Sequence, residues 1–380
     1  MKNKLFTALL AIAIGTKGFG QFISYNFHYP NSVDLFELYE ISFTLPVVYS
    51  NPYDSNTVCI YAEFTGPDNT SYIVNAFYYE DYTFHKHSDG YEIAEPNHKY
   101  DGWRIRFTPN QAGTWTFRIR GFDSYGSLNT YFMNVDHTFS CTSVRNAEGF
   151  ISLANSQYLK RDVVKNGLRS YNSFFPVGPN VAWYSCKTYC ELDKPLGIYY
   201  YEEHIDSLYN RANYMRIMTN KYQYLSLYGL ECTQIVNNDT TVYFDSTLNQ
   251  KDAAELDHII SYAKQHNIAI MFNFFNQVDF LTNKDGCNPS EWTNNPFHNI
   301  LGLSEPCDFF SDPNAIRITK NLIRYIISRW GYATNIMCWE LWNEVEQSTE
   351  LCSENDEIDQ IIKDWHDEMA FYISGIIAVP

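Results

Sequence analysis

The sequence is poor in basic residues. Of its 380 residues, 27 are Lys or Arg and 44 are Asp or Glu, which gives a formal net charge of -17 at pH 7. A surface of this sign repels phosphate backbones, so we expect no nucleic-acid partner. The chain also lacks a glycine-rich phosphate-binding loop, which argues against kinases and nucleotide-dependent enzymes. We therefore expect no cofactor.

Long apolar runs are absent after the first residues. Residues 5–14 form one apolar run, which follows Lys2 and Lys4 and is too short to cross a bilayer as a helix. With Gly18 as a small residue near the cleavage position, this pattern predicts a signal peptide over residues 1–20 and a secreted or periplasmic protein. The alternative is a buried N-terminal helix. No Cys follows the run, so we expect no membrane anchor.

The nine cysteines lack the spacing of a metal site. Cys186 and Cys190 have no second Cys or His pair at zinc-binding spacing, so we predict no metal ion. In an exported protein, either this pair or Cys287 with Cys307 could form a disulfide that staples an insertion. The connectivity does not follow from the sequence.

Aromatic residues are abundant. They make up 17% of the chain, with 31 Tyr and 26 Phe. Aromatic rings pack protein cores, and they also stack on the flat apolar faces of ligands such as sugars. Composition alone leaves both uses open.

Residues 21–140 are predicted to form an antiparallel β domain. Short runs alternate apolar and polar side chains, as in residues 58–64 and 113–120, and turn-forming residues such as those at 66–69 separate them. About seven short strands over ~100 residues are typical of an immunoglobulin-like β-sandwich, which we predict here. We expect residues 141–170 to be a linker that leads into the next domain.

From residue 171 the pattern changes to strands that alternate with helices. Apolar runs suited to buried strands lie at 174–181, 212–218, 268–275 and 336–341, and helical stripes lie at 256–263, 316–330 and 358–373. Such repeats predict parallel strands with covering helices. About four units are visible where a closed (β/α)8 barrel needs eight. We therefore predict a multidomain fold of β plus α/β type, with the first half of a TIM barrel over residues 171–380 and no strands within its long loops.

A half barrel would leave two open sheet edges and an exposed apolar surface. Both are aggregation hazards. A homodimer that pairs the open edges would remove them; otherwise the C-terminal half would not fold alone.

The sharpest motif in this region is the sequence Trp339-Glu340-Leu341-Trp342-Asn343-Glu344. It follows the last apolar run, and catalytic groups of barrel enzymes lie at the C-terminal ends of strands. There Glu344 could protonate a leaving oxygen as a general acid, and Asn343 could hydrogen-bond a sugar hydroxyl. The alternative is an acidic loop residue that merely follows a strand.

This motif resembles the strand-four signature of clan A glycoside hydrolases, and residues 329–336 resemble its lead-in. The sequence around Arg216 resembles the second strand of such barrels with its active-site arginine, and residues 174–184 resemble the first. Residues 103–107, with the Gly113-Thr114-Trp115 sequence, are similar to the domain-of-unknown-function family 5060. That β-sandwich commonly precedes such barrels.

The resemblance implies a secreted hydrolase with a carbohydrate substrate and a retaining mechanism. Glu344 would be the acid/base, and the nucleophile would be a Glu from strand seven. The chain ends at Pro380 after about four units, so we expect the nucleophile to be absent and the barrel to be truncated. The alternatives are a carbohydrate-binding protein without turnover and a decayed gene fragment.

Glu340 cannot replace the missing nucleophile. It lies four residues before Glu344, or ~13 Å down the strand at ~3.3 Å per residue. We predict instead that it pairs with Arg216. Candidate substrate-binding residues are Arg216, Asn180, Trp183, Asn276 and Trp342. For each of these except Arg216 the alternative is a structural role, and core packing is as good an explanation of Trp342 as sugar stacking.

Overall fold

The computed structural model describes most of the chain. The described residues are 27–126, 128, 135–182, 196–219, 225, 227, 232–236, 239–243, 248–282, 292–346 and 356–377. Among them, no helix is both long enough and apolar enough to cross a lipid bilayer.

The N-terminal part contains two β-sheets. The strand order in the first is β1 (Phe27–His28), β3 (Tyr39–Phe43), β9 (Gly102–Phe107) and β6 (Phe77–Tyr79). The order in the second is β2 (Ser32–Asp34), β11 (His137–Thr142), β10 (Gly113–Asp123), β4 (Val58–Thr65) and β5 (Ser71–Asn75). A separate hairpin joins β7 (Tyr82–Lys86) to β8 (Glu92–Pro96).

The two sheets pack face to face through aromatic side chains. Along β4 every second side chain is buried, as the alternating sequence predicts. Phe64 of β4 stacks on Phe107 of β9 with ring centroids 4.3 Å apart, and Tyr39 of β3 stacks on Phe139 of β11 at 3.8 Å. These contacts form the core of a β-sandwich. Its assignment as immunoglobulin-like stays a prediction.

The segment 141–170, which we expected to be a linker, is instead mostly β structure. It contains β12 (Asn146–Leu153), β13 (Leu159–Lys165) and the start of β14 (Leu168–Phe174), which pair in order as one antiparallel sheet. Asn166 and Gly167, with φ of 53° and 79°, form the tight turn between β13 and β14. An Asn-Gly pair between alternating runs is a strong hairpin signal. The linker prediction overlooked it.

The C-terminal part is built on a three-stranded parallel sheet. The strand order is β15 (Tyr214–Met218), β18 (Ala269–Asn276) and β19 (Ile336–Asn343). Its helices are α1 (Ile198–Leu208), α2 (Gln250–Gln265), α3 (Pro296–Asn299), α4 (Pro313–Trp330) and α5 (Asp356–Ile376). A loop that we expected to lack strands contains the antiparallel hairpin of β16 (Cys232–Val236) and β17 (Asp239–Tyr243).

The first of the expected barrel strands is only partly formed. Residues 168–174 belong to β14, and the following residues run beside β15 with a single bridge between Asn180 and Arg216. The Met218 N–H donates to the Ala182 carbonyl at 3.1 Å, so the segment follows β15 in parallel. The sheet is open within the described ranges, and the half barrel stays a prediction.

Helix signals in the sequence were accurate for α4. Its side-chain cap is Asp312, whose Oδ1 accepts hydrogen bonds from the backbone N–H groups of Asn314 and Ala315 at 2.9 Å. Pro313 occupies the first turn, where its missing N–H costs nothing. Ile323, Ile326 and other apolar residues of α4 are buried in the core of the α/β part.

A buried ionic group joins the sandwich to the α/β part. Asp257 of α2 accepts hydrogen bonds at 2.7 Å from Arg106 of β9 and from Arg329 of α4, and at 2.8 Å from the Trp330 indole. Burial alone would raise the pKa of Asp257, but the two guanidiniums outweigh it and lower that pKa to about 2. We call Arg106, Asp257, Arg329 and Trp330 the interdomain cluster.

Candidate active site

The site begins with an ion pair that spans the parallel sheet. Arg216 of β15 reaches past β18 to Glu340 of β19: its Nε donates to Glu340 Oε2 at 2.7 Å, and its Nη2 donates to Oε1. The two side chains are 15% and 18% exposed. A bidentate pair of this kind fixes both groups. The predicted pairing of Glu340 with Arg216 is confirmed.

Arg216 also anchors the amide of Asn343. Its Nη2 donates to Asn343 Oδ1 at 2.6 Å. On the other side, Asn343 Nδ2 donates to Gln277 Oε1 at 2.7 Å. Asn343 is buried, so its amide is held from both ends.

Gln277 connects this group to the predicted acid/base. Gln277 Nε2 donates to Glu344 Oε2 at 2.6 Å. Glu344 is exposed and has a backbone φ of 54°. This value lies in the left-handed region, which residues other than glycine rarely adopt. Such strain is common at functional sites. We call Glu340, Arg216, Asn343, Gln277 and Glu344 the strand-end network.

Gln277 was not among the candidate residues that the sequence predicted. Its contacts with Asn343 and Glu344 join positions 66 and 67 residues apart. The only local signal was that Gln277 directly follows the strand-end Asn276, at the same edge of the sheet as Asn343. Register confirms that edge, because Asn276 of β18 lies opposite Asn343 of β19.

A cysteine lies on the same strand as Glu340. Burial and then the nearby Glu340 carboxylate raise the pKa of the Cys338 thiol to about 11. A thiol with that pKa stays protonated at neutral pH and is a poor nucleophile. Cys338 is therefore not a candidate nucleophile.

Two of the candidate substrate-binding residues have structural roles in the fold. Asn276 is fully buried; its Nδ2 donates to the Thr219 carbonyl at 2.7 Å, and its Oδ1 accepts from the Val278 N–H at 3.0 Å. Trp342 is 7% exposed, and its ring packs 4.5 Å from that of Phe280. The expectation that these side chains contact substrate is therefore corrected. Asn276 fixes the backbone after β18, and Trp342 fills the core.

The remaining candidates lie in different surroundings. Asn180 is exposed beside Arg216, through the backbone bridge between the two residues. Trp183 lies outside the described residues. Glu346 is exposed and lies two residues beyond Glu344, in a helical segment rather than a loop.

The arrangement suits proton transfer to a bound ligand. In the part of the chain that the structure describes, Glu344 Oε2 receives the Gln277 donor, while Oε1 makes no hydrogen bond. An exposed carboxylate with one oxygen held and one open can give a proton to a ligand oxygen and later take one back. Asn343 beside it retains one N–H for a ligand hydroxyl.

The sandwich matches a known domain family. Residues 32–121 match the family model of a domain of unknown function, DUF5060. This match covers most strands of the two packed sheets and leaves out the α/β part.

Similarity to enzymes comes from two further comparisons. The chain is 27% identical over 130 residues to mannan endo-1,4-beta-mannosidase 5 of Arabidopsis thaliana, and equally to mannan endo-1,4-beta-mannosidase 2 of the same plant. Each match covers 32% of this chain and 28% of the plant protein. The chain thus spans less than a third of the length of these relatives.

Among solved structures, the fold is similar to that of a candidate glycoside hydrolase from Bacteroides vulgatus. The TM-score is 0.58 at 15% identity, and the match covers 92% of this chain and 55% of that protein. At this identity the likeness concerns the fold. Together the comparisons indicate a relationship to glycoside hydrolases.

Proposed function

We propose that the protein is a retaining glycoside hydrolase that degrades a polysaccharide, with Glu344 as its general acid/base. The observation that carries this proposal is the exposed Glu344 carboxylate at a strand end, held at Oε2 by Gln277 and without a hydrogen bond at Oε1 among the described residues. During cleavage the proton moves from Oε1 to the glycosidic oxygen while the bond from that oxygen to the anomeric carbon breaks. In the second step the carboxylate takes a proton from water.

Asn343 would position the sugar beside this acid. Its Oδ1 is held by Arg216 and one of its N–H groups by Gln277, which leaves one N–H for a sugar hydroxyl. A hydrogen bond of this kind to the 2-hydroxyl strengthens in the transition state. Asn180 is a second candidate for a hydroxyl contact because it is exposed next to Arg216.

A retaining mechanism needs a second carboxylate about 5–5.5 Å from the first. Glu340 does not fit, because both its oxygens already accept from Arg216. We infer that the nucleophile comes from outside the described residues, on a strand that continues the barrel begun by β15, β18 and β19. The described part of the chain thus supplies the acid/base and a sugar contact, and the nucleophile comes from elsewhere.

Export and substrate class complete the proposal. The basic and then apolar N-terminus supports a secreted or periplasmic protein, and the disulfide-bonded state of Cys307 fits an oxidising compartment. Because the two plant relatives are named for mannan, β-1,4-mannan is the first substrate to test.

The test is hydrolysis of mannan by the protein expressed at the full length of its gene. We expect Glu344→Gln to lower kcat at least 100-fold, since general acid/base groups contribute about 10²–10⁴-fold. Glu346→Gln is the matched control: it removes an exposed carboxylate two residues away and should leave kcat unchanged. Equal activity of Glu344→Gln and wild type, or binding of mannan without any hydrolysis, would contradict the proposal.

A further inference from the structure

We propose that Gln277 is the positioning residue of the acid/base, and that a one-way hydrogen-bond relay from Arg216 sets the direction of its amide. This inference rests on the proposed role of Glu344. It assigns a function to a residue that lies outside the strand-end motif and that does not itself carry a charge.

The direction of the relay follows from the chemistry of its first member. A guanidinium has donors only, so the atom of Asn343 that faces Arg216 must be the oxygen. The NH2 group of Asn343 then faces Gln277, which must accept with Oε1. Gln277 is left with its NH2 group toward Glu344. Glu340 neutralises the charge of Arg216 at the start of the relay.

The backbone around Gln277 is fixed by its neighbours. Asn276 ties the end of β18 to the Thr219 carbonyl and caps the short 3-10 turn at Gln277–Phe280. At the end of that turn, Phe280 is buried against Trp342. Gln277 itself is buried, so its amide cannot exchange these partners for bulk water. The side chain therefore presents a fixed donor.

This donor decides which oxygen of Glu344 does the chemistry. The Gln277 N–H bonds Oε2, so a proton on Glu344 is carried by Oε1. In the acid step that proton passes to the glycosidic oxygen, the electron pair of the breaking bond goes to the same oxygen, and the nucleophilic carboxylate bonds the anomeric carbon. Loss of the donor would let the carboxyl group rotate and would misplace the proton. A misplaced catalytic group can cost about 100-fold in rate.

The first test compares leaving groups in Gln277→Leu. Cleavage of a natural mannan linkage needs a proton on the oxygen of the leaving sugar, whereas 2,4-dinitrophenolate leaves from a 2,4-dinitrophenyl β-mannoside without help from an acid. We expect kcat/KM, which reports the bond-breaking step, to fall about 100-fold on mannan and less than about 3-fold on the dinitrophenyl substrate. Equal losses on both substrates, or no loss on either, would overturn the proposal. Gln265→Leu, at an exposed glutamine of α2, is the control and should change neither rate.

The second test does not depend on turnover. The side-chain amide of Gln277 is followed by ¹⁵N NMR in the full chain and is assigned by its loss in Gln277→Leu. The double variant Arg216→Met/Glu340→Met removes both ends of the ion pair and leaves no unpaired buried charge. We expect the amide resonance to shift and its hydrogen exchange to accelerate. An unchanged resonance and exchange rate would contradict the relay.

The two tests separate the relay from the proposed function. A protein that hydrolyses neither substrate, but whose Gln277 resonance responds to Arg216→Met/Glu340→Met, would keep the relay and lose the glycosidase proposal. A protein that hydrolyses mannan, with a resonance that does not respond, would keep the glycosidase and lose the relay.

Discussion

Two ionic groups in this molecule, the interdomain cluster and the strand-end network, both pair arginine with a carboxylate but differ in how completely the carboxylates are hydrogen-bonded. In the interdomain cluster, Asp257 lies between two guanidiniums and an indole, and both its oxygens are bonded. In the strand-end network, one guanidinium holds a carboxylate and the relay ends on a second, exposed carboxylate with an open oxygen. A closed group can only stabilise. An open-ended group can react, and this difference supports the proposal that the strand-end network is the site.

The largest expected effect comes from breaking the closed group. Asp257→Ala leaves Arg106 and the fully buried Arg329 without their carboxylate, and removal of one partner of a buried pair costs about 3–5 kcal/mol. Urea denaturation measures the loss. The control is Asp367→Ala, whose pair with Lys363 is 65–68% exposed, so that its loss should change the free energy of unfolding little. Similar losses in the two variants would contradict this account of the cluster.

An intermediate effect is expected from acid. The pKa of Asp257 is about 2 in the folded protein, against 3.8 for an unperturbed Asp side chain. The unfolded chain therefore binds the proton more tightly. The stabilisation is present above about pH 4 and is lost as the pH falls toward 2; a shift of this size is worth roughly 2 kcal/mol. Stability measured between pH 5 and pH 2 in wild type and Asp257→Asn checks it. We expect the steeper loss in wild type, and parallel curves would refute the assignment.

The smallest effect on stability is expected at the open end. Glu344→Gln keeps an oxygen for the Gln277 donor and changes an exposed side chain, so the free energy of unfolding should change by less than about 0.5 kcal/mol. Thermal unfolding measured beside Asp257→Ala tests the contrast. A destabilisation of several kcal/mol at Glu344 would mean that the carboxylate is structural.

The sequence was sufficient for parts of the fold that depend on local patterns. Alternation predicted the strands of the sandwich, and the apolar runs predicted β15, β18 and β19. The helical stripe at 316–330 predicted α4. The Asn166-Gly167 turn was equally local, yet the linker prediction passed over it.

Apart from the pairing of Glu340 with Arg216, contacts between distant positions did not follow from the sequence. Asn343 and Glu344 were identified because they are adjacent at one strand end, whereas Gln277 meets them only after β18 and β19 pair. Trp342 is buried because Phe280, Phe310 and Trp365 close around it. No local pattern distinguishes such a ring from one that stacks on a sugar.

The most direct measurement is a crystal structure of Glu344→Gln with a bound manno-oligosaccharide. In this variant the carboxamide NH2 replaces Oε1 and mimics the protonated acid. We expect a glycosidic oxygen within about 3 Å of that NH2 group, with a sugar hydroxyl on Asn343. A glycan bound elsewhere, such as in the cavity of about 410 Å³ lined by Glu37, Arg161 and Lys264, would contradict the assignment of the strand-end network as the active site.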